Sequence, residues 1–106
     1  MYKKIRLREF DVQQIIESFK EHFGPEDHLW IFGSRVELEK RGGDIDLYVE
    51  TVEPDPSVAL KKKGRFISDL HERIGEQKID VVLNTLSKSS DLLVYRIARK
   101  EGVLLV

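Results

Sequence analysis

The chain has 106 residues, enough for one domain over residues 1–106, and 18 basic against 19 acidic side chains give it a net charge of −1. This balance argues against a duplex-binding protein that relies on a basic face, and the absence of cysteine excludes disulfides and cysteine-type zinc sites. No apolar run approaches the roughly 20 residues of a membrane span and no signal peptide precedes the first helix, so we expect a cytoplasmic protein.

The first predicted elements are a helix and a buried strand. Residues 11–23 repeat apolar side chains at helical spacing, with Asp11 as the expected N-cap and Gly24 as the end signal. Residues 28–32 form a continuous apolar run, which predicts a central strand that is buried on both faces.

A second strand is predicted over residues 44–50, where polar and apolar side chains alternate. Successive side chains of a strand point to opposite faces, so Asp44 and Asp46 share one face and the apolar side chains share the other. Tyr48 lies on the aspartate face and is a further candidate for the lining of a ligand pocket.

The second half of the chain predicts two further helices and a strand between them. A helix of about residues 57–74 follows the N-cap Asp55 and is expected to turn inward Leu60, Phe66, Ile67, Leu70 and Ile74. Residues 78–83 predict a third strand, with Asp80 opposite its apolar face. A third helix of about residues 88–101 is expected to bury Leu92, Leu93, Ile97 and Ala98.

Residues 103–106 then add a short edge strand. The order α-β-β-α-β-α predicts an α+β fold, a small mixed sheet with helices packed on it.

The three strand aspartates are the candidate metal ligands. Carboxylates that crowd one face repel each other and need a cation between them, and Mg²⁺ prefers such oxygen ligands. Two Mg²⁺ ions roughly 3.5–4 Å apart can serve nucleotidyl transfer. We therefore predict that Asp44, Asp46 and Asp80 are catalytic metal ligands. The first two would bridge both ions, and Asp80 would complete the shell of the ion nearer the attacking hydroxyl group.

A glycine-serine turn follows the first strand and offers a place for phosphate. Backbone N–H groups at such a turn point toward anions, and Gly33 lets a phosphate approach closely. Ser34 would hold the β- or γ-phosphate, and Arg35 is a candidate for the triphosphate charge. Gly43, directly before the first aspartate, completes the predicted nucleotide-binding residues.

The spacing of these groups resembles a known signature. Gly33-Ser34, nine intervening residues, Asp44-Ile45-Asp46-Leu47 and the later Ile79-Asp80-Val81 resemble the nucleotidyltransferase superfamily related to DNA polymerase β. More narrowly, the chain resembles the minimal nucleotidyltransferases, or MNT proteins, which are often encoded beside a HEPN-domain partner as a toxin–antitoxin pair. The tail from Tyr95 to Leu105 adds to this likeness.

The resemblance implies a nucleotidyltransferase fold with helices on one side of a mixed sheet and a triphosphate between the Gly-Ser turn and the aspartates. It implies that Asp44, Asp46 and Asp80 ligate metal. In some MNT antitoxins, the implied activity is transfer of AMP from ATP to a tyrosine of the HEPN toxin, which silences a ribonuclease.

Length indicates where the acceptor would be held. Residues 84–106 predict one helix and a short strand, too little for a domain that grips an antibiotic or an RNA end. A protein partner is therefore the first hypothesis. A non-catalytic antitoxin that neutralises its partner by contact, and a subunit acting on a small molecule or RNA held by another chain, stay open as alternatives. A homo- or hetero-oligomer is equally open.

Overall fold

The computed structural model of the protein describes residues 9–32, 45–86 and 93–106. Its elements, in chain order, are α1 (Glu9–His22), β1 (His28–Phe32), β2 (Ile45–Thr51), α2 (Pro56–Ile74), β3 (Ile79–Thr85), α3 (Leu93–Glu101) and β4 (Val103–Leu104). The described part of the chain is thus a small mixed α/β fold with three helices and a four-stranded sheet, as the sequence predicts.

The sheet has the strand order β3-β2-β1-β4, with β1 and β2 in the centre. β1 runs antiparallel to both of its neighbours, whereas β2 and β3 are parallel. Parallel strands need a crossover connection, and α2 provides it. β1 is buried on both faces, as predicted, because Trp30 and its neighbours Leu29 and Ile31 are all buried.

The main core lies on the sheet face that α1 and α2 cover. Alternate residues of the three longer strands turn apolar side chains toward these helices, and the rings of Phe19, Phe23 and Phe66 pack with centroids 4.8–5.8 Å apart. The buried residues of this core are Val12, Ile15, Phe19, Phe23, Leu29, Ile31, Ile45, Leu47, Val49, Phe66, Leu70 and Val81.

Local signals at the ends of α2 act as the sequence predicts. Asp55 accepts a hydrogen bond from the Ser57 amide at 2.9 Å, and Pro56 occupies the first turn, where a missing N–H is harmless. The helix ends at Gly75, whose φ of 86° is a left-handed conformation that glycine adopts without strain.

Arg73 joins α2 to α1 through a polar network. Its Nε donates to Asp69 Oδ2 at 2.8 Å, and its terminal nitrogens donate to Gln14 and Glu21 of α1. Ser18 of α1 donates to the same Asp69 oxygen at 2.7 Å. The two helices are therefore fixed to each other by charge-assisted hydrogen bonds as well as by the core.

The third helix lies on the opposite face of the sheet, so the expectation of helices on one side only is wrong. Ala98 packs against Trp30 and Tyr48, and Tyr95 packs against the same cluster. The turn from α3 into β4 is tight and has no room for a side chain at Gly102, since a Cβ there would lie 2.5 Å from the Ala98 carbonyl oxygen.

Four predictions about the helices are wrong. Asp11 is not an N-cap, since it lies inside α1 and is buried. Leu60 is 59% exposed because α2 turns Ala59 inward instead. In α3, Leu93 and Ile97 are 64% and 42% exposed, because this helix docks through other residues; Leu92 lies outside the described residues.

Candidate functional site

Asp46 and Asp80 lie side by side on neighbouring strands. They are register partners in the parallel pairing of β2 and β3, so both side chains leave the same face of the sheet. Neighbouring strands are roughly 4.8 Å apart, which brings the two carboxylates within reach of one cation. The structure therefore brings together two of the three aspartates singled out from the sequence.

The direction of these carboxylates is fixed by the apolar residues that alternate with them. Ile45 and Val81 are buried in the core on the other face. A one-residue slip of either strand would expose that apolar set, so the register is strongly specified. Asp46 is half-buried and Asp80 is exposed, so Asp80 is the more accessible of the two carboxylates.

The end of β1 lies in the same row. Phe32, the last residue of β1, is the register partner of Asp46 across the antiparallel pairing. The described part of β1 therefore ends in the row that holds the two carboxylates.

The remaining predicted site residues, Gly33, Ser34, Arg35, Gly43 and Asp44, lie outside the described residues. Within residues 9–32, 45–86 and 93–106, no three His, Asp or Glu side chains gather closely enough to hold a metal ion. The two carboxylates that are described are hard oxygen donors on one open face, which is the donor type that suits Mg²⁺.

Tyr48 lies two residues beyond Asp46 on the same face, but it does not line an open pocket. It is fully buried between the rings of Trp30 and Tyr95, with centroid distances of 5.2 and 5.8 Å. Its hydroxyl donates to Glu50 Oε2 at 2.7 Å. Burial raises the pKa of Tyr48, so the phenol stays neutral and serves packing rather than acid–base chemistry.

Sequence reasoning missed the polar cluster around this phenol. Asn84 donates to the Tyr48 hydroxyl at 3.0 Å, and Arg99 of α3 pairs with Glu50, with Nε 3.3 Å from Oε2. The Arg99 guanidinium also lies 5.5 Å from the ring centroid of Trp30. The sequence does contain a signal for this cluster: Asp46, Tyr48 and Glu50 are alternate residues of one strand and therefore share a face.

These contacts place α3 over the rows next to the carboxylates. Trp30, Tyr48 and Tyr95 fill the space between helix and sheet, so that side of the pair is closed by packed rings. The exposed side lies at Asp80, on the edge strand β3.

Among the described helices, none has the length and apolar character that a membrane crossing requires.

Comparison with known proteins identifies one family. No curated protein matches the chain. The family model described as "Polymerase beta, Nucleotidyltransferase" matches residues 13–106, which is most of the sequence. This chain belongs to the polymerase beta nucleotidyltransferase family.

Proposed function

We propose that the protein is a Mg²⁺-dependent nucleotidyltransferase that moves a nucleoside monophosphate, AMP from ATP in the first instance, to a hydroxyl group of a partner protein. The observation that carries the proposal is the register pairing of Asp46 with Asp80 on an open sheet face, in a chain of the nucleotidyltransferase family. The fold and the family support this reaction class.

Asp44, Asp46 and Asp80 would hold the metal, which supplies positive charge to neutralise the triphosphate and the transition state. Ser34 and Arg35 would bind the triphosphate, with Gly33 and Gly43 allowing its close approach.

Asp80 is the group best placed to meet the acceptor, because it is the exposed member of the pair. It would accept the proton of the acceptor hydroxyl as that oxygen attacks the α-phosphorus. The new phosphorus–oxygen bond then forms as the bond to pyrophosphate breaks, and pyrophosphate leaves.

The proposed partner is a HEPN-type ribonuclease toxin, with this chain as its antitoxin. One feature supports a macromolecular acceptor. Among the described residues, Trp30, Tyr48 and Tyr95 fill the rows next to the carboxylates, which leaves the exposed side at Asp80 for the acceptor.

The decisive experiment follows label from ATP into protein. The chain is incubated with Mg²⁺ and α-labelled ATP, with and without the product of its neighbouring reading frame. We expect label on the neighbour, loss of that label in Asp46→Asn and in Asp80→Asn, and full labelling in Glu72→Gln, which changes an exposed carboxylate of α2. Equal labelling by all variants would overturn the assignment of the aspartates.

A second candidate function is neutralisation of the partner by contact alone. The observation that favours it is the exposed apolar side of α3, on which Leu93 and Ile97 face outward. The two functions separate cleanly in one assay. If Asp46→Asn still neutralises the toxin fully and no label is ever transferred, contact is the mechanism.

A further inference from the structure

The outward side of α3 carries an apolar stripe. The helix turns Tyr95, Ala98 and Arg99 toward the sheet. Residues at intervals of three and four positions share a helix face, which places Leu93 and Ile97 together on the opposite side. These two side chains are 64% and 42% exposed and lie one turn apart, so they form an apolar patch rather than two isolated positions.

Positive charge flanks this stripe. Arg96 and Lys100 are four residues apart on the outward side and, with Leu93, Ile97 and Glu101, line a shallow depression. Of the three basic residues of α3, Arg99 pairs with Glu50, so the outward side presents Arg96 and Lys100 beside Glu101. This excess of positive charge complements an apolar stripe with acidic flanks. A second copy of α3 would bring the same excess of positive charge against it, so charge disfavours self-association through this helix.

We propose that the face formed by Leu93, Arg96, Ile97 and Lys100, here named the α3 face, docks an acidic amphipathic helix of the acceptor protein. This proposal rests on the proposed function, because it assigns the chemistry of the surface through which the acceptor protein binds. α3 lies on the same side of the sheet as Asp46 and Asp80. A partner bound there is held on the side of the sheet from which the carboxylates project.

A synthetic helix tests the docking chemistry without knowledge of the natural partner. The probe is a fluorescent amphipathic peptide with a leucine stripe and glutamate flanks, and its twin has lysine in place of every glutamate. We expect the acidic peptide to bind, as measured by fluorescence anisotropy, and the basic twin to bind at least about tenfold more weakly. Equal binding of the twins, or none by either, would overturn the proposal.

Matched variants locate the binding on α3. Ile97→Asp should weaken binding of the acidic peptide at least about tenfold, whereas Leu60→Asp, at an apolar position of α2 that is 59% exposed, should leave it unchanged. The double charge reversal Arg96→Glu/Lys100→Glu should also weaken it, unlike Lys61→Glu/Arg65→Glu, which has the same spacing on α2. Circular dichroism verifies that each variant is folded. Binding that is insensitive to the α3 variants refutes the site.

Two readouts keep the competing explanations apart. Sedimentation detects a second copy as the occupant, and a wild-type dimer that Ile97→Asp dissociates would overturn the proposal. The peptide assay contains no nucleotide or metal and is repeated with Asp46→Asn, which should bind the peptide as the wild type does. Failure of docking therefore leaves the transfer assay intact, and failure of transfer leaves the docking result intact.

Discussion

Asp46 and Asp80 are register partners on the parallel strands β2 and β3, so two like charges leave the same sheet face from neighbouring strands. Side chains that face each other in this way interact, and like charges there destabilise the sheet. In the proposed function, a cation held between the two carboxylates would offset this repulsion.

Neutralising one member of the pair should stabilise the protein when no divalent cation is present. We expect Asp80→Asn to raise the free energy of unfolding by about 0.2–1 kcal/mol, because it removes the repulsion from Asp46. Chemical denaturation in the presence of a chelator measures the change. Glu76→Gln, at an exposed loop position, controls for the loss of one negative charge. A decrease in stability for Asp80→Asn contradicts the prediction.

Magnesium should reverse the order of stability of the wild type and Asp80→Asn. A ligand that binds only the folded state stabilises it, by about 1.4 kcal/mol at ten times its Kd. Thermal unfolding with increasing Mg²⁺ should therefore raise the Tm of the wild type, and the rise should be absent or much smaller in Asp80→Asn. Glu76→Gln should respond as the wild type does. A rise of equal size in all three proteins would place the Mg²⁺ elsewhere.

The strand faces could be predicted from the sequence because alternation is a local property. The runs at residues 28–32 and 44–50 correspond to β1 and β2 to within one residue, and the face that carries Asp46 follows from the burial of Ile45. The pairing of Asp46 with Asp80 needs the strand register, which residues distant in the chain decide together.

The orientation of α3 could not be predicted in this way. Periodicity identifies an apolar stripe, here Leu93 and Ile97, but does not say whether the stripe meets the sheet. In the structure, Arg99 rather than the apolar stripe faces the sheet, because it pairs with Glu50 and lies over the ring of Trp30. Those partners belong to two other strands, so no local pattern reveals them.

Arg73 should be important for the packing of α1 on α2. Arg73→Met removes hydrogen bonds to Asp69, Gln14 and Glu21, of which the first two are partly buried, and leaves Asp69 only the bond from Ser18, at an expected cost of about 1–3 kcal/mol. Urea denaturation measures this cost. Arg65→Met, at an exposed position of the same helix, should change stability by less than about 0.5 kcal/mol. Equal effects would show that the network contributes nothing.

The same network should make stability depend on acid pH. Desolvation raises the pKa of Asp69, but hydrogen bonds from Ser18 and Arg73 and the nearby His22 outweigh it, so this pKa lies below its ordinary value of 3.8. A carboxyl group with a depressed folded-state pKa contributes stability above its unfolded pKa. That contribution is lost as the pH falls through the folded value.

Denaturation midpoints measured from about pH 5 to pH 2 test this sign. The wild type should lose stability more steeply below about pH 4 than Asp69→Asn, which lacks the titrating group. Glu72→Gln removes an exposed carboxylate from the same helix and controls for the change in net charge. Parallel curves for the wild type and Asp69→Asn would exclude Asp69 as a source of the acid sensitivity.

Arg99 should hold α3 against the sheet. Glu50 is buried, with its side chain 8% exposed, and Arg99→Met leaves this carboxylate with the Tyr48 hydroxyl but without its cation. Because Arg99 itself is 61% exposed, the expected cost is only about 1–2 kcal/mol. Trp30 is the sole tryptophan of the chain and lies beneath the guanidinium, so its fluorescence emission should shift to longer wavelength as α3 loosens. Lys100→Met, on the outward side of the helix, should change neither quantity, and identical results for the two variants would show that Arg99 does not secure the helix.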